Sequence, residues 1–114
     1  MEIDQMISVV RNALDDLKAK EIVVLDVSGK STVTDRMIIA SGTSRRHVMS
    51  LGQHVHEEVK HSGILPLGIE GQDTGEWVLV DLGDVVVHIM MPDARSFYDL
   101  ERLWGFDKDE EQTS

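Results

Sequence analysis

Apolar residues at helical spacing predict an amphipathic helix over about residues 2–20. They recur every three or four positions, and charged residues fill many of the positions between them. One face of this helix is therefore expected to pack on a core. The series consists of Ile3, Met6, Ile7, Val10, Leu14 and Leu17.

A second apolar stripe predicts a helix in the middle of the chain. Thr43 or Ser44 can cap its first turn, and Gly63 is a typical stop signal. A third, short helix is expected from Pro92 to about Trp104, because proline suits the first turn of a helix. The stripe of the middle helix is Val48, Leu51, Val55 and Val59.

Five apolar segments, several of them rich in β-branched residues, predict strands, and glycine-containing turns separate several of them. Together with the helices they give the element order αββαβββα, which defines an α/β domain without an internal repeat. The strands are expected at about residues 22–27, 37–41, 65–70, 76–82 and 85–91.

The last two predicted strands have faces of different composition, because successive side chains point to opposite sides of a sheet. The wholly aliphatic face suits packing under helices, whereas the mixed face suits a partly exposed surface. The aliphatic set is Val78, Val80, Leu82, Val85, Val87, Ile89 and Met91, and the mixed set is Trp77, Leu79, Asp81, Val86, His88 and Met90.

Composition narrows the class of protein. The chain has 114 residues, and no apolar run approaches the roughly 20 residues of a membrane span. Its net charge of −10 disfavours a general nucleic-acid binder and favours a basic partner. The absence of cysteine excludes disulfides and thiolate metal sites.

We expect one domain over residues 1–106, a disordered acidic tail over residues 107–114, and a cytoplasmic protein without a membrane segment.

Gly29, Lys30 and Ser31 resemble the end of a phosphate-binding loop, but the other requirements of that loop are missing. It needs G-x-x-x-x-G-K-[ST] and leads into a helix whose amides hold the phosphate. Position 24 is Val24 rather than glycine, and the residues after Ser31 lead toward another strand. A turn between two strands is therefore predicted.

The histidines of the middle helix do not reach the ligand count of a metal site. His47, His54 and His61 are seven residues apart, a rise of about 10 Å per step along the helix. His54 with Glu58, or Glu57 with His61, could pair one turn apart, but neither pair has an evident third ligand. A solvated helix face is expected, and we predict no metal, no cofactor and no catalytic residues.

Three segments together resemble the ribosomal silencing factor family, whose members are also called Iojap-like proteins. They read LDVSGKSTVTDRMIIASGTSRRHV at residues 25–48, IEGQDTGEWVLVDLGDVVVHIM at residues 69–90 and RSFYDLERLWG at residues 95–105. Their combination is specific and covers most of residues 20–105. The resemblance implies a small mixed sheet of about five strands with flanking helices, related to nucleotidyl transferases, and a protein that is not an enzyme.

The resemblance also implies a function. Family members bind the large ribosomal subunit at ribosomal protein uL-fourteen, block docking of the small subunit and repress translation when nutrients are scarce. Trp77 and Trp104 are the expected apolar anchors, Tyr98 adds a ring and a hydroxyl, and Asp81 and Glu101 would meet basic residues of the partner. The full set of implied partner-binding residues is Trp77, Asp81, His88, Met90, Tyr98, Leu100, Glu101 and Trp104.

Arg45 and Arg46 suggest a minor contact with ribosomal RNA. Basic residues in the first turn of a helix oppose its dipole and could hold an anion such as a phosphate. Pairing with nearby acids such as Asp35 is the favoured interpretation, because surface ion pairs are common.

Two other interpretations stay open. A nucleotide-binding or nucleotidyltransferase-like enzyme would work through Asp26, Asp35, Asp81 and Asp84, although acids beside a glycine turn are more often turn residues. A self-associating adaptor would pair two copies through an exposed apolar sheet face, which would make the free protein a homodimer.

Overall fold

A computed structural model describes residues 2–29, 34–99 and 102. Within these residues, three helices and five strands follow one another in the predicted order αββαβββα. The predicted acidic tail lies outside the described residues. The helices are α1 (Ile3–Asp16), α2 (Arg45–His61) and α3 (Pro92–Tyr98), and the strands are β1 (Lys20–Asp26), β2 (Arg36–Ser41), β3 (Gly68–Glu70), β4 (Trp77–Asp81) and β5 (Val85–Met90).

The five strands form one mixed sheet in the order β1-β2-β5-β4-β3. The central strands β2 and β5 pair in parallel, and the three other neighbouring pairs are antiparallel. The predicted mixed sheet with flanking helices is therefore confirmed, whereas kinship with nucleotidyl transferases stays a prediction. None of the described helices is long and apolar enough to cross a membrane.

The connection that contains the Gly-Lys-Ser sequence joins two antiparallel strands, β1 and β2. Asp26 Oδ1 accepts hydrogen bonds from the Ser28 hydroxyl at 2.6 Å and from the Ser28 backbone N–H at 3.0 Å. These bonds, with the nearby charge of Arg36, hold the pKa of Asp26 below its usual value. Residues 30–33 lie outside the described part, and the element that follows β1 is the strand β2, as predicted, rather than the helix that a phosphate-binding loop needs.

Helix α1 ends four residues earlier than predicted. Lys18 adopts a left-handed φ of 61°, and the Ala19 N–H donates to the Leu14 carbonyl oxygen at 3.0 Å, which closes the C-terminal turn. The chain then enters β1 at Lys20. Leu17, which the apolar spacing placed on the buried stripe, is 37% exposed because it follows the last helical residue.

Strand β3 is also shorter than the predicted segment 65–70. Leu65 and Leu67 are 77% and 69% exposed, and Pro66 has no N–H to donate to a strand ladder. The ladder with β4 therefore begins at Gly68, which pairs with Asp81. Apolar content alone overestimated the length of this strand.

The predicted bounds of α2 are confirmed at both ends. The Ser44 hydroxyl accepts from the His47 N–H at 3.0 Å, and Gly63, with a φ of 90°, follows the last turn. The His47 ring also joins two elements: its Nδ1 accepts from the Thr43 N–H at 2.9 Å, and its Nε2 donates to the Leu17 carbonyl oxygen at 2.7 Å. This side chain fixes the start of α2 against the end of α1.

Helices α1 and α2 cover one face of the sheet, and the residues between them form what we call the inner core. The predicted aliphatic face of β4 and β5 lies in it, which confirms the alternation of these strands. Its fully or almost fully buried members from those strands and their flanks are Val78, Val80, Leu82, Val85, Val87 and Ile89, and its members from the helices include Met6, Val10, Leu14, Val48, Leu51, Val55 and Val59.

The opposite face carries a second cluster, which we call the outer core. Ala94 of α3 packs there against residues of β1, β2 and β5. The Arg95 guanidinium holds α3 in place, because its Nη1 donates to the Glu21 carbonyl oxygen at 2.8 Å and to the Ser41 hydroxyl at 3.0 Å. The outer core consists of Leu25, Val27, Met37, Ile39, Met90 and Ala94.

Gly71 is the position where the fold most clearly requires glycine. Its φ is 90°, and a Cβ there would overlap the Trp77 carbonyl oxygen. We expect Gly71→Ala to lower the free energy of unfolding by about 2 kcal/mol or more in a urea titration, because positive φ and the overlap both oppose the methyl group. Gly29→Ala is the matched control, since a Cβ at Gly29 meets nothing within 4 Å. Equal effects of the two substitutions would contradict this account of the turn.

Candidate functional site

Over the residues that the structure describes, the part of the outer sheet face that α3 does not cover is a strip along β3, β4 and β5. We call it the open strip. Leu79 lies at its centre, between Glu70 of β3 and His88 of β5, and Asp81 lies opposite Val86. Its exposed or half-exposed residues are Glu70, Trp77, Leu79, Asp81 and Val86. The strip therefore presents apolar surface with an acidic side chain on two of its strands.

Trp77 is held in this strip by a buried histidine. The indole Nε1 donates to His88 Nδ1 at 2.9 Å, and the two ring centroids are 5.7 Å apart. His88 is only 6% exposed, and this burial lowers its pKa to about 4. The imidazole is therefore neutral near pH 7, and its Nδ1 is free of a proton and able to accept. His88 fixes the orientation of the Trp77 ring.

Two of the predicted partner-binding residues are not surface residues in the structure. Met90 has no exposed surface and belongs to the outer core, and His88 is almost as buried. Neither side chain is available for direct contact in this structure, because Met90 is fully buried and His88 meets the surface only through the Trp77 ring that it orients; their part in binding stays a prediction. The physical reason is that α3 packs on this end of the sheet face, which the alternation of the strands could not reveal.

The remaining predicted residues are divided between the described and undescribed parts of the chain. Trp77 and Asp81 are the first and last residues of β4. Each is two positions from Leu79, so all three side chains point to the same face of the sheet. Tyr98 is the last residue of α3, and its side chain lies outside the described part. Leu100, Glu101 and Trp104 are likewise outside it, so their contacts stay predictions.

The four aspartates of the enzyme interpretation serve turns and an ion pair where the structure describes them. Asp26 Oδ1 lies 3.2 Å from Arg36 Nη1, and Asp81 Oδ1 accepts from the Gly83 N–H at 2.9 Å. Asp84 offers its backbone carbonyl to the N–H of Asp35 at 2.9 Å. Over residues 2–29, 34–99 and 102, none of these aspartates belongs to a group of three side chains close enough to share a metal. The turn interpretation of Asp81 is confirmed.

Arg45 and Arg46 are both exposed in the first turn of α2. The expected pairing with Asp35 is absent from the described part of the chain, where no ion pair reaches either arginine. Arg46 instead lines a shallow groove of about 550 Å³ beside α2, together with Leu17, Met49, Ser50, Gln53, His54, Glu57 and Gln72.

Sequence reasoning missed two groups of residues. It placed Leu79 and Val86 on the right face but not in the binding set, because the strand register that joins them to Trp77 and Asp81 is a property of the folded sheet. It also missed the third side chain near His54 and Glu58, which is Asp16 from α1. No local signal could have found Asp16, since it lies 38 residues from His54 in the chain.

The geometry defines a class of protein: a small α/β domain with a five-stranded mixed sheet, one face of which stays partly exposed among the described residues. Comparison with known proteins identifies the family. A sequence model described as "Ribosomal silencing factor during starvation" matches residues 1–114. The chain therefore belongs to the ribosomal silencing factor family, a family of regulatory proteins of the ribosome, and the resemblance of its motifs is confirmed.

Individual relatives agree with this assignment. The ribosomal silencing factor RsfS of Chromobacterium violaceum is 46% identical over 108 residues, which cover 95% of this chain and 88% of that protein. The protein of the same name from Haemophilus influenzae is 46% identical over 100 residues, 88% of this chain and 98% of its own length. A crystal structure of a Chromobacterium violaceum protein superposes with a TM-score of 0.92 at 46% identity and covers 94% of this chain and 89% of that one.

Burial of His88 predicts a specific sensitivity to acid. Its folded-state pKa of about 4 lies below the usual 6.5, so the unfolded chain takes up the proton first as the pH falls. Stability linked to this group is complete above pH 6.5 and is lost progressively toward pH 4, by on the order of 3 kcal/mol in total. We expect His88→Asn, which keeps an acceptor near the Nδ1 position but does not titrate, to flatten this part of the stability–pH curve.

The measurement is urea unfolding at several pH values between 7.5 and 4.5. For each protein, the quantity compared is the change in the free energy of unfolding with pH, not its absolute size. His61→Asn is the control, because the His61 side chain is 79% exposed. If the His88→Asn protein and wild type lost stability in parallel across this range, protonation of the buried histidine would not be the cause of the acid sensitivity.

Proposed function

We propose that the open strip binds the large ribosomal subunit at ribosomal protein uL-fourteen and thereby prevents the small subunit from docking. The block is steric and needs no cofactor, and it represses translation in the cytoplasm when nutrients are scarce. The observation that carries the proposal is the half-exposed Trp77 ring, fixed by His88 and placed beside the exposed surface of Leu79.

The physical chemistry of the strip fits a protein partner. A tryptophan whose indole is already oriented loses little conformational freedom on binding, and tryptophan is among the residues most often found as binding hot spots. Leu79 and Val86 extend the apolar surface on either side of the β4–β5 pairing. The predicted partner-binding residues at and after the end of α3 would enlarge this surface toward the usual size of roughly 800 Å² per partner. They are Tyr98, Leu100, Glu101 and Trp104.

The charge of the chain supports a basic partner. Glu70 and Asp81 carry negative charge on the strip itself, and the net charge of the chain is −10. Such a field would attract a basic ribosomal protein and speed the encounter, whereas it would repel the phosphates of ribosomal RNA. Contact with RNA would then be minor and limited to Arg45 and Arg46. A homodimer of the free protein through the open strip would compete with ribosome binding.

Substitutions on the strip test the proposal through binding to separated ribosomal subunits. We expect Leu79→Ala to weaken co-sedimentation with the large subunit about tenfold, because an apolar contact is lost at the centre of the strip. Trp77→Ala should weaken it by about thirtyfold or more, the equivalent of ~2 kcal/mol for a hot-spot residue. Leu17→Ala is the matched control, since Leu17 is partly exposed on the helical side of the domain.

A second readout tests the steric block. Wild-type protein mixed with large subunits should lower the fraction of joined ribosomes formed when small subunits are added, and the Leu79→Ala protein should lower it less at the same concentration. Circular dichroism shows whether each variant is folded. Unchanged binding by folded Leu79→Ala and Trp77→Ala proteins, or equal binding of wild type to both subunits, would contradict the proposal.

A further inference from the structure

A cluster of three ionisable side chains lies on the opposite side of the domain from the open strip, where α1 ends against α2. Asp16 is the last residue of α1, and His54 and Glu58 are one turn apart on α2. His54 Nε2 is 3.0 Å from Asp16 Oδ2, and one donor atom from each of the three side chains lies within 4.8 Å of the others. We call these residues the Asp16–His54–Glu58 triad.

From this arrangement we infer that the triad binds a divalent transition-metal ion, with Zn²⁺ as the best fit. One imidazole nitrogen with two carboxylate oxygens is a ligand set that zinc uses, whereas calcium and magnesium prefer oxygen ligands alone. Zn–N and Zn–O bonds of about 2.0–2.2 Å place tetrahedral ligands roughly 3.4 Å apart. The His54–Asp16 pair, at 3.0 Å, would open by about 0.4 Å to reach this spacing, and the Glu58 oxygen, within 4.8 Å of both, would move inward.

The electrostatics at the end of α1 favour a cation there. The last turn of α1 contains Asp15 and Asp16 and no basic residue, although the C-terminus of a helix is its negative end. Glu58 adds a second carboxylate to the triad itself. Two carboxylates so close together repel each other, and a divalent ion would neutralise both while it replaces the bond between His54 and Asp16.

Exposure and surroundings also suit an ion that enters from solvent. The side chains of Asp16, His54 and Glu58 are 54%, 28% and 39% exposed, so water can fill the remaining coordination position. Glu58 Oε2 lies 3.3 Å from His61 Nδ1, which gives the ligating carboxylate the outer hydrogen-bond partner that metal ligands usually have. The bound ion would clamp the end of α1 to the middle of α2.

Zinc binding to the full chain tests the inference. Isothermal titration with ZnCl₂ should show one saturable site per chain, and excess zinc should raise the midpoint of thermal unfolding by ~3 °C or more, reversibly on addition of EDTA. His54→Gln and Asp16→Asn should each weaken zinc binding by ~tenfold or more. Both substitutions retain hydrogen-bonding groups at the helix contact but replace a metal ligand with a poor one, so circular dichroism of the zinc-free proteins should be unchanged.

The matched control is His56→Gln, which removes a histidine from the same helix outside the triad. It should bind zinc as wild type does. The absence of saturable binding by wild type, or equal loss of binding in the His54→Gln and His56→Gln proteins, would overturn the site. This result is independent of ribosome binding, because the triad and the open strip lie on opposite sides of the sheet and are measured with different ligands.

Discussion

The parallel pairing of β2 with β5 at the centre of the sheet is the constraint on which the rest of the molecule depends. Ile38 and Ile39 of β2, like Ile89 and Met90 of β5, are fully buried although neighbours in each strand point to opposite faces. Such strands must be covered on both sides. Helices α1 and α2 cover most of one side, whereas the short helix α3 covers only part of the other, and within the described residues the open strip is the surface that remains.

The boundary between covered and open surface explains how the Trp77 side chain is oriented. His88 lies at this boundary, next to the outer core on β2 and next to Leu79 on β4. Its burial keeps the ring neutral, so it can accept the indole hydrogen bond in a setting where a charged imidazole could only donate. The open strip is therefore preorganised by the same packing that stabilises the sheet, and in the proposed contact a residue without direct access to a partner shapes the surface that is presented.

Local periodicity was enough to predict much of this fold. The stripes of α1 and α2, the Ser44 cap and the aliphatic face of β4 and β5 depend on neighbours a few residues away, and each is confirmed except at Leu17, which lies beyond the end of α1. Some errors arose where distant parts of the chain meet, and others, at the end of α1 and the start of β3, from local backbone turns that apolar spacing does not report. Alternation could not show that α3 packs over Met90, and helical spacing could not show that the α1 end turns at Lys18 toward β1. The surface at Leu79 exists only once β3, β4 and β5 are in register.

Hydroxyl-radical footprinting of the protein, free and bound to large ribosomal subunits, tests the central claim most directly, because it reports which side chains a partner covers. Trp77 on the open strip and Met49 on the helical side are both partly exposed and readily oxidised, so they form an internal comparison. The account predicts that large subunits slow the oxidation of Trp77 severalfold and leave that of Met49 unchanged. Protection of Met49 with continued oxidation of Trp77 would place the partner on the helical side of the domain and contradict the account.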